Sequence, residues 1–249
     1  YGRLVLALGA DQIVLPLEGD GVDGIVRVND LEEYGRFRAA LDGSEKRVTV
    51  LGAGLIGCEF ANDLCPAGHK VQVVDLAEWP LSRFVPREMG DALRDALAGQ
   101  GVEWHLGTTI VSVDRSGAGF TCRLASGATL ESDIVLSAVG LRARTQLAQA
   151  AGLDVARGIR VNELLQSSDP NIFALGDCAE VNGQVLPFVM PLMTCARALA
   201  ATLAGTATPV VYPAMPVIVK TPALPTIVLP PDPGTEGRWS LEGAAPDLT

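Results

Sequence analysis

The sequence has few histidines, few aromatic residues and a deficit of basic side chains. Of its 249 residues two are histidine and 5% are aromatic, and 19 Lys and Arg stand against 29 Asp and Glu, which gives a net charge of −10. A nucleic-acid partner is not expected, because such a protein needs a basic face for the phosphates. His69 and His105 lie in separate segments, so a metal site is not expected either.

Cysteine pairs and long hydrophobic runs are also missing. The five cysteines, at positions 58, 65, 122, 178 and 195, form no CxxC, which argues against a dithiol active site and a zinc knuckle. Unpaired cysteines are typical of the reducing cytoplasm, where we expect this protein. The most apolar stretch, 185–205, is interrupted by Pro187, Pro191 and Arg197, so membrane insertion is not predicted.

Strand-like and helix-like patterns alternate along the first 205 residues, which predicts an α/β fold. From residue 101 the hydrophobic period changes to two, which indicates short strands joined by glycine turns. After residue 205, prolines interleave with β-branched runs, and we expect a new strand-rich domain there. The predicted strands are 4–8, 47–51, 71–75, 102–106, 110–114, 120–124, 129–131, 133–138, 171–175 and 238–241, and the predicted helices are 31–41, 55–64, 86–98, 145–151 and 193–203.

The strongest motif is Gly52-Ala53-Gly54-Leu55-Ile56-Gly57, which follows a predicted strand and opens a predicted helix. In this context the first glycine permits a tight turn, the second lets the backbone approach a pyrophosphate, and the third lets the helix pack close to the strand. The N–H groups at the start of the helix then point toward the phosphates. The pattern predicts a nucleotide site at Gly52, Gly54, Leu55, Ile56 and Gly57, with a ligand-free glycine turn as the alternative.

Asp75 ends the next predicted strand and follows Gly52 at about the 20-residue spacing expected for a ribose-binding acid. A carboxylate there accepts hydrogen bonds from the ribose hydroxyls and repels a 2′-phosphate. We therefore expect NADH rather than NADPH, although a preference for NADPH despite Asp75 is the alternative.

The residues alone do not decide whether two further acids, Glu59 and Asp177, contact a ligand. Glu59 lies near the start of the helix, where a carboxylate is favoured by the helix dipole whether or not it contacts a ligand. Gly176 and Asp177 follow a short buried strand, at the edge where α/β sheets bind ligands. An aspartate at such a place either contacts a ligand or forms the turn.

Four segments carry a family resemblance: 1–9 with the pattern YxxLVLAxGA, 52–62 with GAGLIGCEFAN, 135–144 with VLSAVGLRAR, and 172–180 with IFALGDCAE. In this order they resemble the flavoprotein reductases that have two dinucleotide-binding domains and carry FAD and NAD(P)H. Within that superfamily these segments, and those at 190–205 and 215–223, are similar to the bacterial rubredoxin–NAD reductases.

The resemblance implies an α/β fold with two Rossmann-like domains, in which the NAD domain is inserted into the FAD domain. Residues 30–140 would form the NAD-binding domain, and residues 1–29 and 141–205 would be pieces of the FAD domain. Residues 206–249 would begin an α+β C-terminal interface domain, truncated here.

The resemblance also implies roles for individual residues. Asp177 matches the aspartate that binds the ribityl chain of FAD, and Lys220 matches a lysine that contacts the flavin. Val189, just before the helix predicted at 193, matches a segment whose backbone approaches the isoalloxazine ring. Glu59 matches a glutamate near the place where nicotinamide and flavin meet. Gly140 and Gly176 belong to matching segments and are assigned to cofactor binding.

The implied function is transfer of electrons from NADH through FAD to rubredoxin, in a chain for alkane hydroxylation or oxygen stress, without a catalytic acid–base residue. Another acceptor, as in a ferredoxin reductase or an NADH oxidase, is an alternative. One departure stands out, since the family's first GxGxxG, which binds the adenosine diphosphate part of FAD, is absent. The sequence therefore resembles an internal piece that alone would bind FAD poorly, and a non-catalytic NAD-binding module is the other alternative.

Overall fold

The computed structural model describes residues 2–231, 235–240 and 242. These residues divide between two compact units, each made of separate parts of the chain. The central unit consists of described residues from 14–140 and from 216 onward, and the flanking unit of those from 1–13 and 141–215. The domain boundaries predicted at 29/30, 140/141 and 205/206 remain predictions about domains.

Fifteen strands and five α-helices occur in the described part of the chain. The helices are α1 Leu31–Leu41, α2 Leu55–Leu64, α3 Arg87–Gly99, α4 Gln146–Ala150 and α5 Val189–Leu203. The strands are β1 Leu4–Leu6, β2 Ala10–Gln12, β3 Arg47–Leu51, β4 Lys70–Asp75, β5 Val102–Leu106, β6 Ile110–Ser116, β7 Gly119–Leu124, β8 Thr129–Ser132, β9 Ile134–Ser137, β10 Leu141–Ala143, β11 Ile159–Val161, β12 Ile172–Ala174, β13 Ala179–Val181, β14 Val217–Val219 and β15 Thr226–Val228.

The core of the central unit is a parallel four-stranded sheet with the order β5-β4-β3-β9. β3 and β9 are buried along almost their whole length, which explains why both are continuous apolar runs rather than alternating ones. The short side chains of α2, among them Gly57, Cys58 and Ala61, are buried and let the helix lie close to the sheet. The carboxyl ends of β3, β4 and β9 consequently share one edge of the sheet.

A second sheet of the central unit is antiparallel, with the order β6-β7-β8, as the period-two pattern predicted. An apolar cluster joins the two sheets. The parallel sheet contributes Leu51, Val74 and Val135, and the antiparallel sheet contributes Ile110, Val113, Cys122, Leu124 and Leu130. This layer covers the face of the parallel sheet that α2 does not occupy.

The hairpin β14–β15 completes the central unit, although it lies far from the other strands in sequence. Its inward side chains Val219, Leu224 and Val228 are buried in the same core cluster as Val48 and Ala61. Its other face is exposed, with Ile218 and Ile227 paired across the two strands.

The flanking unit contains three two-stranded pairings. β1 pairs with β12 and β11 with β13, both in parallel, whereas β2 and β10 are antiparallel. In the first pair Leu4 lies opposite Ile172 and Leu6 opposite Ala174. The long helix α5 contributes Cys195, Ala198 and Leu199 to the core of this unit.

The structure corrects three predictions made from the sequence. α5 begins at Val189 rather than 193, because Pro191 sits in the first helical turn, where its missing N–H costs no hydrogen bond. The region 209–231 contains only two strands of three residues each, and residues 238–240 form no strand. Residues 1, 232–234, 241 and 243–249 of the predicted domain pieces lie outside the described residues.

Within the described ranges, we find no helix that is both long enough and apolar enough to cross a membrane.

Candidate functional site

The predicted nucleotide loop begins where β3 ends, at the shared carboxyl edge of the parallel sheet. Gly52 has φ of +112°, a left-handed conformation that favours glycine. A Cβ on Gly52 would lie 2.6 Å from the carbonyl oxygen of Ala138, which follows β9. Gly52 is therefore required both by its backbone angle and by the neighbouring strand end.

Gly57 lies in a crowded environment, whereas Gly54 borders open space. A Cβ on Gly57 would overlap the carbonyl oxygen of Gly52, so this glycine lets α2 pack against the loop. A Cβ on Gly54 would meet nothing within 4 Å. Packing against the described part of the chain thus does not require a glycine at position 54. A glycine there does leave the backbone accessible to a ligand.

The start of α2 carries free backbone donors. Gly54 is its N-cap and supplies no capping side chain, so the N–H groups of the first turn, at Leu55, Ile56 and Gly57, are available to an anion. The side chain of Ile56 is 53% exposed. Open space above Gly54 together with uncapped donors fits the pyrophosphate of a dinucleotide.

Asp75, the last residue of β4, braces this loop. One carboxylate oxygen accepts from the backbone N–H of Ala53 at 2.6 Å, and the other accepts from the N–H of Ala77 at 2.7 Å. The carbonyl of Ala53 in turn accepts from the N–H of Leu81 at 2.9 Å. A carboxylate has about four lone-pair sites, so Asp75 keeps acceptor capacity for ribose hydroxyls.

Glu59 and Lys220 are brought together, 161 positions apart in sequence. The carboxylate of Glu59 accepts from the backbone N–H of Lys220 at 3.0 Å. One helical turn further along α2, the buried side chain of Asn62 accepts from the N–H of Ala223 at 3.1 Å. Sequence reasoning missed Asn62, and the available signal was an amide on the buried face of an otherwise apolar helix.

Gly140 follows β9 at the same edge of the sheet and has φ of +106°. No described contact links it to the loop at Gly52–Gly57, and the neighbour of that loop is Ala138 instead. Its assignment to cofactor binding remains a prediction.

Three of the residues predicted on the flavin side, Gly176, Asp177 and Val189, lie in the flanking unit, whereas Lys220 lies in the central unit. Gly176, with φ of +77°, and Asp177 form a short turn after β12. A Cβ on Gly176 would lie 3.3 Å from the side chain of Leu192, in the first turn of α5 that begins at Val189. The turn and the start of this helix are therefore neighbours.

The chemistry available at this place fits a flavin. The carboxylate of Asp177 is partly exposed and has no hydrogen-bond partner among the residues described. The N-cap of α5, Phe188, provides no side-chain hydrogen bond, so the backbone donors at Val189 are open. The side chain of Val189 is 75% exposed. An acceptor for hydroxyl groups and an apolar helix start thus lie side by side.

Two buried cysteines of the central unit, Cys58 and Cys122, are unreactive. Burial, with the nearby carboxylates of Asp75 and Glu59, raises the pKa of the Cys58 thiol to about 12. Burial also raises the pKa of Cys122 to about 11, more than its hydrogen bond to Ser132 lowers it. These thiols remain protonated at neutral pH and serve as packing residues.

Comparison with known proteins places these features in a family. Residues 1–201 match the pyridine nucleotide-disulphide oxidoreductase family, and residues 209–249 match the rubredoxin binding C-terminal domain. The chain is 52% identical to the rubredoxin-NAD(+) reductase of Alcanivorax borkumensis over 97% of this chain and 63% of that protein. It is 50% identical to the rubredoxin-NAD(+) reductase of Acinetobacter baylyi over 97% of this chain and 62% of that protein.

Solved structures give the same result for the fold. The crystal structure of the ferredoxin reductase for the CYP199A2 system from Rhodopseudomonas palustris superposes with a TM-score of 0.80 and 35% identity, over 86% of this chain and 55% of that chain. The chain spans less than two thirds of the length of the curated relatives named above. The α/β fold class and the resemblance to rubredoxin–NAD reductases are confirmed, and the chain belongs to the pyridine nucleotide-disulphide oxidoreductase family.

Proposed function

We propose that the protein is an NADH-dependent flavoprotein reductase that passes electrons through FAD to rubredoxin. The observation that carries the proposal is the nucleotide loop at Gly52–Gly57, braced by Asp75, in a chain whose residues 209–249 match a rubredoxin-binding domain. The relatives at 50% identity or above are named rubredoxin-NAD(+) reductases, which supports the same acceptor.

NADH would bind at the carboxyl edge of the parallel sheet. The open backbone at Gly54 and the uncapped donors of α2 would hold its pyrophosphate. Asp75, already fixed by two backbone N–H groups, would accept from the ribose hydroxyls and repel the 2′-phosphate of NADPH.

FAD would be held in part by the flanking unit. Asp177 would accept from the ribityl hydroxyls, Gly176 would keep the turn close to α5, and the backbone at Val189 would approach the ring system. When bound, the flavin accepts a hydride from NADH and releases single electrons to an iron protein. The chain itself would bind and orient both cofactors and exclude water, without an acid–base residue.

The acceptor would dock through a local apolar surface. Rubredoxins tend to be acidic, as the family resemblance implies, and a net charge of −10 repels such a partner at long range. The exposed face of the hairpin, with Ile218 at 64%, Ile227 at 70% and Leu229 at 58% exposure, belongs to the region that matches the rubredoxin-binding domain. Such a face supports docking by burial of apolar area rather than by charge.

The proposal is tested with the full-length gene product, because the relatives are longer than this chain. We expect flavin bands in its visible spectrum and NADH-dependent reduction of rubredoxin. Rapid reduction of cytochrome-like acceptors with no activity on rubredoxin would contradict the acceptor. A colourless protein that still binds NADH would contradict the flavoenzyme and favour a nucleotide-binding module.

A ferredoxin is the second candidate acceptor, and the 0.80 TM-score to a ferredoxin reductase favours it. Parallel assays with rubredoxin and ferredoxin at equal concentration distinguish the two, since the preferred acceptor has the higher kcat/KM.

We also propose that the protein works in the cytoplasm. Its five cysteines are all unpaired, and unpaired thiols persist in a reducing compartment. Fractionation of the native host, with the protein detected by an antibody, tests this location.

A further inference from the structure

The turn between β14 and β15 is attached to α2 at two points. Glu59 and Asn62 lie one helical turn apart on α2, and their side chains accept from the backbone N–H groups of Lys220 and Ala223 at 3.0 and 3.1 Å. The two acceptors thus match two donors that lie three residues apart in the turn. We call this pair of contacts the α2 clamp.

Asn62 is the buried half of the clamp. It is only 3% exposed, whereas the contact of Glu59 is open to solvent. Its amide is satisfied on both sides, because the oxygen accepts from Ala223 and the nitrogen donates to Asp63 at 3.2 Å. Because the Asn62 side chain is buried, its amide cannot turn to water instead, and this half of the clamp specifies a geometry more strictly than the exposed contact of Glu59 does.

Hydrogen bonds within the turn between β14 and β15 link the position of Ala223 to that of Lys220. The N–H of Leu224 donates to the carbonyl of Thr221, and the hydroxyl of Thr221 donates back to the carbonyl of Leu224. Thr221 is 1% exposed, and the hydroxyl of Thr226 donates to the same carbonyl of Leu224. Fixing Ala223 therefore also fixes the backbone at Lys220, whose side chain is exposed.

We propose that Asn62 is a positioning residue that holds the Lys220 turn in a fixed place relative to the nucleotide-binding helix. The first turn of α2 lies at the nucleotide loop and its second and third turns carry the clamp, so one helix sets the position of both. The proposal rests on the proposed function for its catalytic consequence, namely that a displaced Lys220 turn slows electron transfer and leaves the NADH site intact.

Two variants separate positioning from general stability, both made in the full-length gene product. Asn62→Leu keeps the size of the side chain and removes the acceptor, whereas Asn62→Asp made together with Asp63→Asn keeps an acceptor oxygen toward Ala223 and exchanges donor and acceptor in the hydrogen bond between residues 62 and 63. Asp63→Ala is the matched control, because it alters the other partner of Asn62 and leaves the contact with Ala223 in place.

The first readout is amide hydrogen exchange at Ala223 and does not depend on activity. We expect protection to fall by about tenfold or more in Asn62→Leu and to stay near wild type in the double variant with Asn62→Asp and Asp63→Asn, and in Asp63→Ala. Unchanged protection at Ala223 in Asn62→Leu would overturn the clamp.

The second readout is steady-state kinetics with NADH and the acceptor below the melting temperature of every variant. We expect kcat to fall about tenfold in Asn62→Leu, the Kd of NADH to change less than about twofold, and the double variant with Asn62→Asp and Asp63→Asn to recover most of kcat. Lost protection at Ala223 with an unchanged kcat would overturn the positioning role. If the wild-type protein reduces no acceptor, the proposed function fails, and the exchange experiment still decides the clamp.

Discussion

Gly54 and Gly57 give the sharpest test of the nucleotide site, because one added methyl group has opposite effects at the two positions. At Gly57 it would overlap the carbonyl oxygen of Gly52, whereas at Gly54 it would meet no atom within 4 Å. We therefore expect Gly57→Ala to damage the fold and Gly54→Ala to damage only the binding of NADH.

The size of each effect follows from the contacts. Alanine gains about 1 kcal/mol of helix propensity over glycine at Gly57, but overpacking costs about 1–3 kcal/mol. Because the backbone carbonyl of Gly52 cannot rotate away, the overpacking cost of Gly57→Ala lies at the upper end of that range. The variant therefore loses about 2 kcal/mol of unfolding free energy. At Gly54 an N-cap change from glycine costs less than about 1 kcal/mol. Losing charge-assisted hydrogen bonds to the pyrophosphate, at about 1.5–3 kcal/mol, raises the Kd of NADH roughly 10- to 100-fold.

Urea unfolding and a fluorescence titration with NADH measure the two quantities in each variant. The reasoning is refuted if Gly54→Ala loses as much unfolding free energy as Gly57→Ala. It is refuted equally if Gly54→Ala binds NADH as tightly as the wild type, because the open space would then have no ligand to admit.

Three other predictions concern side chains. Asp75→Asn should lower the unfolding free energy by about 1.5–3 kcal/mol in urea titrations, because the amide turns a donor toward the N–H of Ala53 or Ala77. The control Glu88→Gln removes the same charge from an exposed helix position and should change the unfolding free energy little. Burial raises the pKa of Cys58 to about 12 from an ordinary 9.0. The neutral thiol therefore stabilises the fold most below pH 9, and at higher pH unfolding releases a proton. The unfolding free energy should fall between pH 9 and 12, and it should fall less steeply in Cys58→Ala. Asp177→Ala should raise the Kd of FAD for the full-length protein at least about tenfold and leave the melting temperature of the flavin-free protein unchanged, and an equal Kd would contradict the role of Asp177.

The nucleotide unit was predictable because its signals are local. β3 and α2 have the predicted bounds, and β4 differs by one residue, since an apolar run, three glycines and a terminal acid specify strand, turn and helix without distant help. The alternating stretch after residue 101 was equally direct, because antiparallel neighbours in sequence pair with each other.

The missed features depend on distant contacts or on the special rules of proline. The clamp joins residues 161 positions apart, and no local pattern shows which backbone donors Glu59 and Asn62 meet. α5 starts four residues before the predicted position, because proline is tolerated in a first helical turn. After residue 209 the prolines remove ladder donors, so the β-branched runs form only two short strands.

The pairing of β1 with β12 has a consequence for synthesis on the ribosome. Within the described part of the chain, Leu4–Leu6 pairs with Ile172–Ala174, which is made much later, whereas the parallel sheet of the central unit is complete once β9 has emerged. We expect the central sheet to fold before β1 pairs with β12. Proteolysis of nascent chains arrested at increasing lengths measures this order, and protection of β1 before residue 174 leaves the ribosome would contradict it.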